Sequence, residues 1–106
     1  MYVFGSELTL TADAPLTADD VTDLVECFVD ELDKLDASPD VSTTGTGTSV
    51  HMNVEVVVLE AEDEMDAAIK GFCAVRSALH CAGVHTGRMV VPTDVRMVVP
   101  RSLQDA

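Results

Sequence analysis

The sequence has no tryptophan, and only three phenylalanines and one tyrosine occur in its 106 residues. Base or sugar recognition by stacked aromatic platforms is therefore disfavoured. Hydrophobic residues still make up 47% of the chain, so a globular core has to be built from Val, Leu, Met and Ala. Positive charge is equally scarce. Six Lys and Arg stand against 19 Asp and Glu, a net charge of −13. Residues 1–69 hold 17 of those acids with Lys34 as their single base, a net of −16. Residues 70–106 hold Lys70, Arg76, Arg88, Arg96 and Arg101 against Asp94 and Asp105, a net of +3. Nonspecific binding to nucleic acid or an anionic membrane needs clustered cations that displace counterions, and the balance argues against both. A basic protein partner suits it better, as does plain solubility in an organism that uses Asp and Glu freely.

Long apolar runs are missing too. The nearest is far too short to span a bilayer and carries Glu55. Three cysteines, an odd number, without a recognisable signal peptide, point to a reducing, cytoplasmic setting. The length suits a single domain over residues 1–100, with 101–106 as a loose tail.

What is present is organised around Val50 to Glu60. Val50, Met52, Val54, Val56 and Val58 alternate with His51, Asn53, Glu55, Val57 and Leu59, which predicts a central strand with one wholly apolar side. A first strand is expected from Tyr2 to Thr11, followed by a connector over residues 12–16 that Pro15 keeps out of the sheet. Thr17 is a plausible N-cap with Asp19 and Asp20 in the first turn. Beyond it Val21, Leu24, Val25, Phe28, Leu32 and Leu35 recur at helical spacing. Asp23, Glu26, Asp30 and Asp33 form the outer face of this helix, a candidate binding surface for a basic partner. Residues 41–49, rich in Thr and Gly, read as the first arm of a hairpin.

A second helix begins among the acids at residues 62–66. Met65, Ala68, Ile69, Phe72, Val75 and Leu79 form its expected core stripe, with Gly83 just past its C-terminus. Arg76 breaks the pattern by projecting near the centre of that stripe, at ~100° per residue. Its guanidinium either snorkels outward or meets a carboxylate at an interface. Arg88 to Pro92 and Arg96 to Pro100 repeat RMVVP, and Pro92 leaves open one bulged edge strand or two short ones. The order strand, helix, strand, strand, helix, strand, with right-handed crossovers, predicts an α+β ferredoxin-like βαββαβ sandwich. Its antiparallel sheet has the order 4-1-3-2, with both helices on one face.

Cys73, His80, Cys81 and His85 resemble a metal cluster only on paper. Cys73 and His80 lie ~10 Å apart along a helix, and no CxxC or HxxxH pair anchors a site. Neither a metal nor a cofactor is expected. His80 is read instead as a helix C-terminal residue, where positive charge is favoured. On the sheet face away from the helices, Glu7, His51, Glu55 and Arg96, with Asn53, form the alternative acid–base or ligand-binding site. A plain cross-strand ion pair between Glu7 and Arg96 competes with it. On the same side Val3, Val57, Leu59 and Val98 are apolar. Such a patch marks an interface, so a homodimer through sheet faces or edge strands, or another protein partner, is expected.

The stretch ALHCAGVHTGRMVVPTDVRMVVP, from Ala78 to Pro100, resembles the closing segment of small uncharacterised α/β proteins of actinobacteria and their phages. The resemblance implies a setting and no catalytic residues. Taken together, the leading expectation is an acidic noncatalytic interaction module. In its sharper form a phage-type acidic helix occupies a basic, nucleic-acid-binding surface on a host protein.

Overall fold

The computed structural model describes residues 1–87 and 90–102, and for residues 98–102 the backbone alone. Six elements follow in the order β1 (Tyr2–Leu16), α1 (Ala18–Asp33), β2 (Asp40–Thr44), β3 (Gly47–Val58), α2 (Glu64–Thr86) and β4 (Val90–Ser102). The strands form one antiparallel sheet in the order β2-β3-β1-β4, the expected topology read from the other edge. The helices pack on each other and on one face of it. The result is a two-layer α+β sandwich. Among the described residues no helix is long and apolar enough to cross a membrane.

The alternation in β1 and β3 sets the layers. Their register runs unbroken from Tyr2 opposite Val58 to Thr11 opposite Ser49. Side chains alternate across a strand, so Phe4, Leu8, Leu10, Val50, Met52, Val54 and Val56 all turn to the helices and are buried. Each such side chain contributes roughly 1.5–3 kcal/mol by leaving water. β1 also continues through residues 12–16, past the expected connector. A register break between Thr11 and Leu16 absorbs Pro15, and Leu16 pairs with Gly47.

Thr17 closes the start of α1 as a capping box. Its hydroxyl accepts the Asp20 N–H at 3.2 Å, and the Asp20 carboxylate accepts the Thr17 N–H at 2.9 Å. Val21, Leu24, Phe28 and Leu32 are buried beneath the helix. Leu35 is not. The helix ends at Asp33, so Leu35 falls in the following turn and is exposed. There Asp36 (φ 55°) and Ser38 (φ 44°) take left-handed conformations. Between them the Ala37 carbonyl accepts the Val57 N–H at 2.6 Å, pinning the loop to β3.

α2 departs most from expectation. Met65 and Ile69 are 70% and 56% exposed, whereas Ala67, Gly71, Val75, Ala78, Leu79 and Ala82 are buried. The reason is close approach. A Cβ added at Gly71 would stand 2.5 Å from Cγ of the Phe4 ring, so the helix seats itself on small residues and turns its larger ones aside. α2 also runs on to Thr86, where Gly87 (φ 70°) caps it, past the expected stop at Gly83. His80 is therefore inside the helix, not at its end.

β4 is one strand across Pro92. Its register shifts between Val3 and Gly5 and between Thr9 and Leu10 of β1, and Thr93 is the extra residue at the second shift. The Thr93 hydroxyl lies 3.0 Å from that of Thr11 and 3.3 Å from the Thr9 carbonyl it donates to. Arg101 and Ser102 belong to this strand and not to a loose tail. Residues 103–106, Arg88 and Met89 lie outside the described residues.

Candidate functional site

Three surfaces can carry function, and strand alternation builds the first. On the open face of the sheet, Glu7 stands between Arg96 and Asn53, and Thr9 between Asp94 and His51. Glu7, His51, Asn53, Glu55, Asp94 and Arg96 are all exposed. Most of them line a shallow concavity of about 350 Å³. The Thr9 hydroxyl and His51 Nδ1 are 3.2 Å apart. Glu55 lies opposite Gly5, two register pairs from Asn53. The sheet thus brings together Glu7, His51 and Arg96, with Glu55 at their margin. Glu7 and Arg96 do not close an ion pair. Glu31 does pair with Lys34 and Asp66 with Lys70, and His85 lies within 3.5 Å of Glu31. Toward one end of this face, Val3 and Val57 are half-buried opposite each other, and Leu59 is exposed. Val98 stands opposite Gly5 in the backbone, and its side chain lies outside the described residues.

The second surface is α1. Asp23, Glu26, Asp30 and Asp33 are exposed along it, because the buried stripe claims the other side of the helix. Lys34 at its end donates to Glu31 at 3.0 Å. That hydrogen bond, and then the charge of Glu31, holds the Lys34 ammonium above its ordinary value. Glu31 also lies 3.5 Å from Nε2 of His85 in the last turn of α2, so it clasps the two helices. Cys27 and Cys81 are half-buried, and Cys73 is exposed. Among the described residues no group of three or more His, Cys, Asp or Glu is placed to hold a metal ion.

The third surface is the one that sequence reasoning misassigned. Met65, Ile69, Phe72, Arg76 and Leu79 fall within an arc of about 80° on α2, at ~100° per residue. Leu79 is buried, Phe72 half-buried and the rest exposed. Beside this flank runs β4, whose Val95 and Met97 pair with Leu8 and Ser6 and so share the helix side of the sheet. Both are exposed, since β4 is the edge strand and the helices stop short of covering it. A largely apolar groove of about 650 Å³ opens between Arg76, Leu79 and His80 of α2 and Val90, Val91 and Pro92 of β4. Arg76 at the centre of the presumed core stripe was the available signal, because a core helix face does not carry an unpaired guanidinium.

No protein-family model and no curated protein sequence matches the chain. Solved structures do. The chain is similar to a hydantoinase/carbamoylase family amidase from Burkholderia ambifaria, with a TM-score of 0.55 and 12% identity over 94% of this chain and 28% of that one. It is similar also to an aminobenzoyl-glutamate utilization protein from Klebsiella pneumoniae, with a TM-score of 0.51 and 13% identity over 94% of this chain and 28% of that one. A hydantoinase/carbamoylase family amidase from Burkholderia multivorans gives a TM-score of 0.50 and 11% identity over 93% of this chain and 28% of that one. The likeness is one of fold, and the chain spans 28% of the length of these proteins.

Proposed function

We propose that the chain is a small acidic, noncatalytic interaction module that self-associates and offers α1 and the open sheet face to a protein partner. The observation that carries this reading is uncovered apolar surface. Met65, Ile69 and Met97 are each more than half exposed, and apolar surface gathered along one flank in this way marks an interface. Charge indicates the kind of partner. The exposed Asp23, Glu26, Asp30 and Asp33 of α1 attract a basic protein surface, and salt screens that attraction. The apolar end of the open face, at Val3, Val57 and Leu59, adds contact area there. Three free cysteines favour a reducing, cytoplasmic setting.

Capture of partners by the immobilised chain tests the reading when it is compared with a variant carrying Asp23→Asn, Glu26→Gln, Asp30→Asn and Asp33→Asn. A basic protein should be retained at low salt, released at high salt and missed by the variant. Equal capture by the variant, or a salt-insensitive acidic partner, refutes the α1 assignment.

A second reading, a small ligand-binding or acid–base site, is favoured by the register that sets Arg96, Glu7 and Asn53 in one row beside Asp94, Thr9 and His51. The exposure of its charged groups weighs against it, because water screens the charges that such a site needs.

A further inference from the structure

We infer that two copies of the chain pair edge to edge, β4 against β4 and antiparallel, about a two-fold axis through Val95, with the two α2 flanks meeting above the seam. This rests on the reading of the chain as a self-associating module and gives that association a geometry.

The two edges of the sheet differ. β2, at one edge, is five residues of Asp, Val, Ser and Thr, short and polar in the manner that discourages pairing. β4, at the other, is 13 residues long, with Val91, Val95 and Met97 exposed along it. Its outer side is a row of backbone donors and acceptors with no strand of the described residues against it. An identical antiparallel strand satisfies such a row under two-fold symmetry. Pro92 and Pro100 lack an N–H and so bracket the segment from Thr93 to Val99 as the one able to pair continuously.

Charge selects the register within that segment. Asp94 and Arg96 are exposed and lie on the open face, opposite Thr9 and Glu7 of their own chain. With Val95 opposite itself, Asp94 of each copy stands across from Arg96 of the other, giving two complementary pairs. Moving the axis by one residue sets Arg96 against Arg96, or Asp94 against Asp94. On the helix side the same register joins Val95 to its counterpart and brings the flanks bearing Met65, Ile69 and Phe72 toward each other.

Area and net charge agree with a second copy as the occupant. α2 is 23 residues long, about 35 Å at ~1.5 Å per residue, and the sandwich measures 18 to 24 Å in its two shorter dimensions. A footprint of that length and breadth is on the order of the ~800 Å² per partner that a stable interface buries. β4 and the flank from Lys70 onward belong to residues 70–106, with a net charge of +3, whereas residues 1–69, which include Met65 and Ile69, carry −16. Two copies therefore repel least when they meet through β4 and that flank.

Sedimentation of the full chain and its variants tests the geometry. The wild type should be a dimer. Ile69→Lys and Met97→Lys, both at exposed positions, should give monomers with unchanged circular dichroism. Asp94→Arg and Arg96→Asp should each weaken the dimer about tenfold by setting like charges opposite one another, and the double variant should recover most of that loss. A wild type that stays monomeric overturns the proposal, as does a dimer indifferent to Ile69→Lys and Met97→Lys, or one lost in Leu59→Lys instead, which would place the contact on the open face. Single losses without recovery in the double variant overturn the axis at Val95. The α1 variant used for partner capture should keep its dimer, so partner binding and self-association fail separately.

Discussion

Gly71 decides how α2 lies. Its missing Cβ leaves room for the Phe4 ring, and Phe4, fully buried, lies at the heart of the core. Gly71→Ala should cost about 1–3 kcal/mol, because ring and helix must separate to admit one methyl group, even though alanine is the better helix former. Thermal or urea unfolding measures it directly, and a variant as stable as the wild type would show that the helix seats elsewhere. This residue was also the hardest to read in the sequence. A search for large apolar residues at helical spacing ranks Met65 and Ile69 above Ala67 and Gly71, although the second pair makes the closest contact. Arg76 held the correction, since an exposed guanidinium at the centre of that stripe does not fit a face packed into the core.

The elements themselves were far more legible. The strict alternation from Val50 to Val58 fixed which side of β3 the helices cover, and Thr17 with Asp20 fixed the start of α1, because a capping box is a local device. Element ends were less legible. Whether Gly83 or Gly87 stops α2 depends on tertiary packing of the last turn and not on the glycine alone, and Pro15 and Pro92 were absorbed by register shifts that only a neighbouring strand reveals. The N-terminus of α2 gives a prediction at this scale. The Asp66 carboxylate accepts the Glu62 N–H at 3.0 Å and pairs with Lys70 at 3.0 Å. The backbone hydrogen bond first, and Lys70 second, hold its carboxyl below the ordinary 3.8. A lowered folded-state value stabilises above the unfolded one and is lost as pH falls through it. Asp66→Asn should therefore lower the melting temperature near neutral pH, and the gap to the wild type should close below about pH 4. A gap independent of pH would contradict the role given to the carboxylate.

At the scale of the whole molecule, three surfaces stand apart: an acidic helix, a polar open face and an apolar edge. The first two were visible in the sequence, because alternation and helical spacing assign exposed charges directly. The third was not, since strand order is needed to know that β4 is an edge and helix seating to know that Met65 and Ile69 face outward. Salt should move the two proposed interactions in opposite directions. Screening weakens the attraction of α1 for a basic partner, but it relieves the repulsion between two chains of −13 each that associate through apolar surface. Sedimentation equilibrium of the wild-type chain at low and high salt is thus the most direct test of the account. It predicts a dimer whose population rises with salt, and a chain that is monomeric at every concentration, or a dimer that salt dissociates, would contradict it.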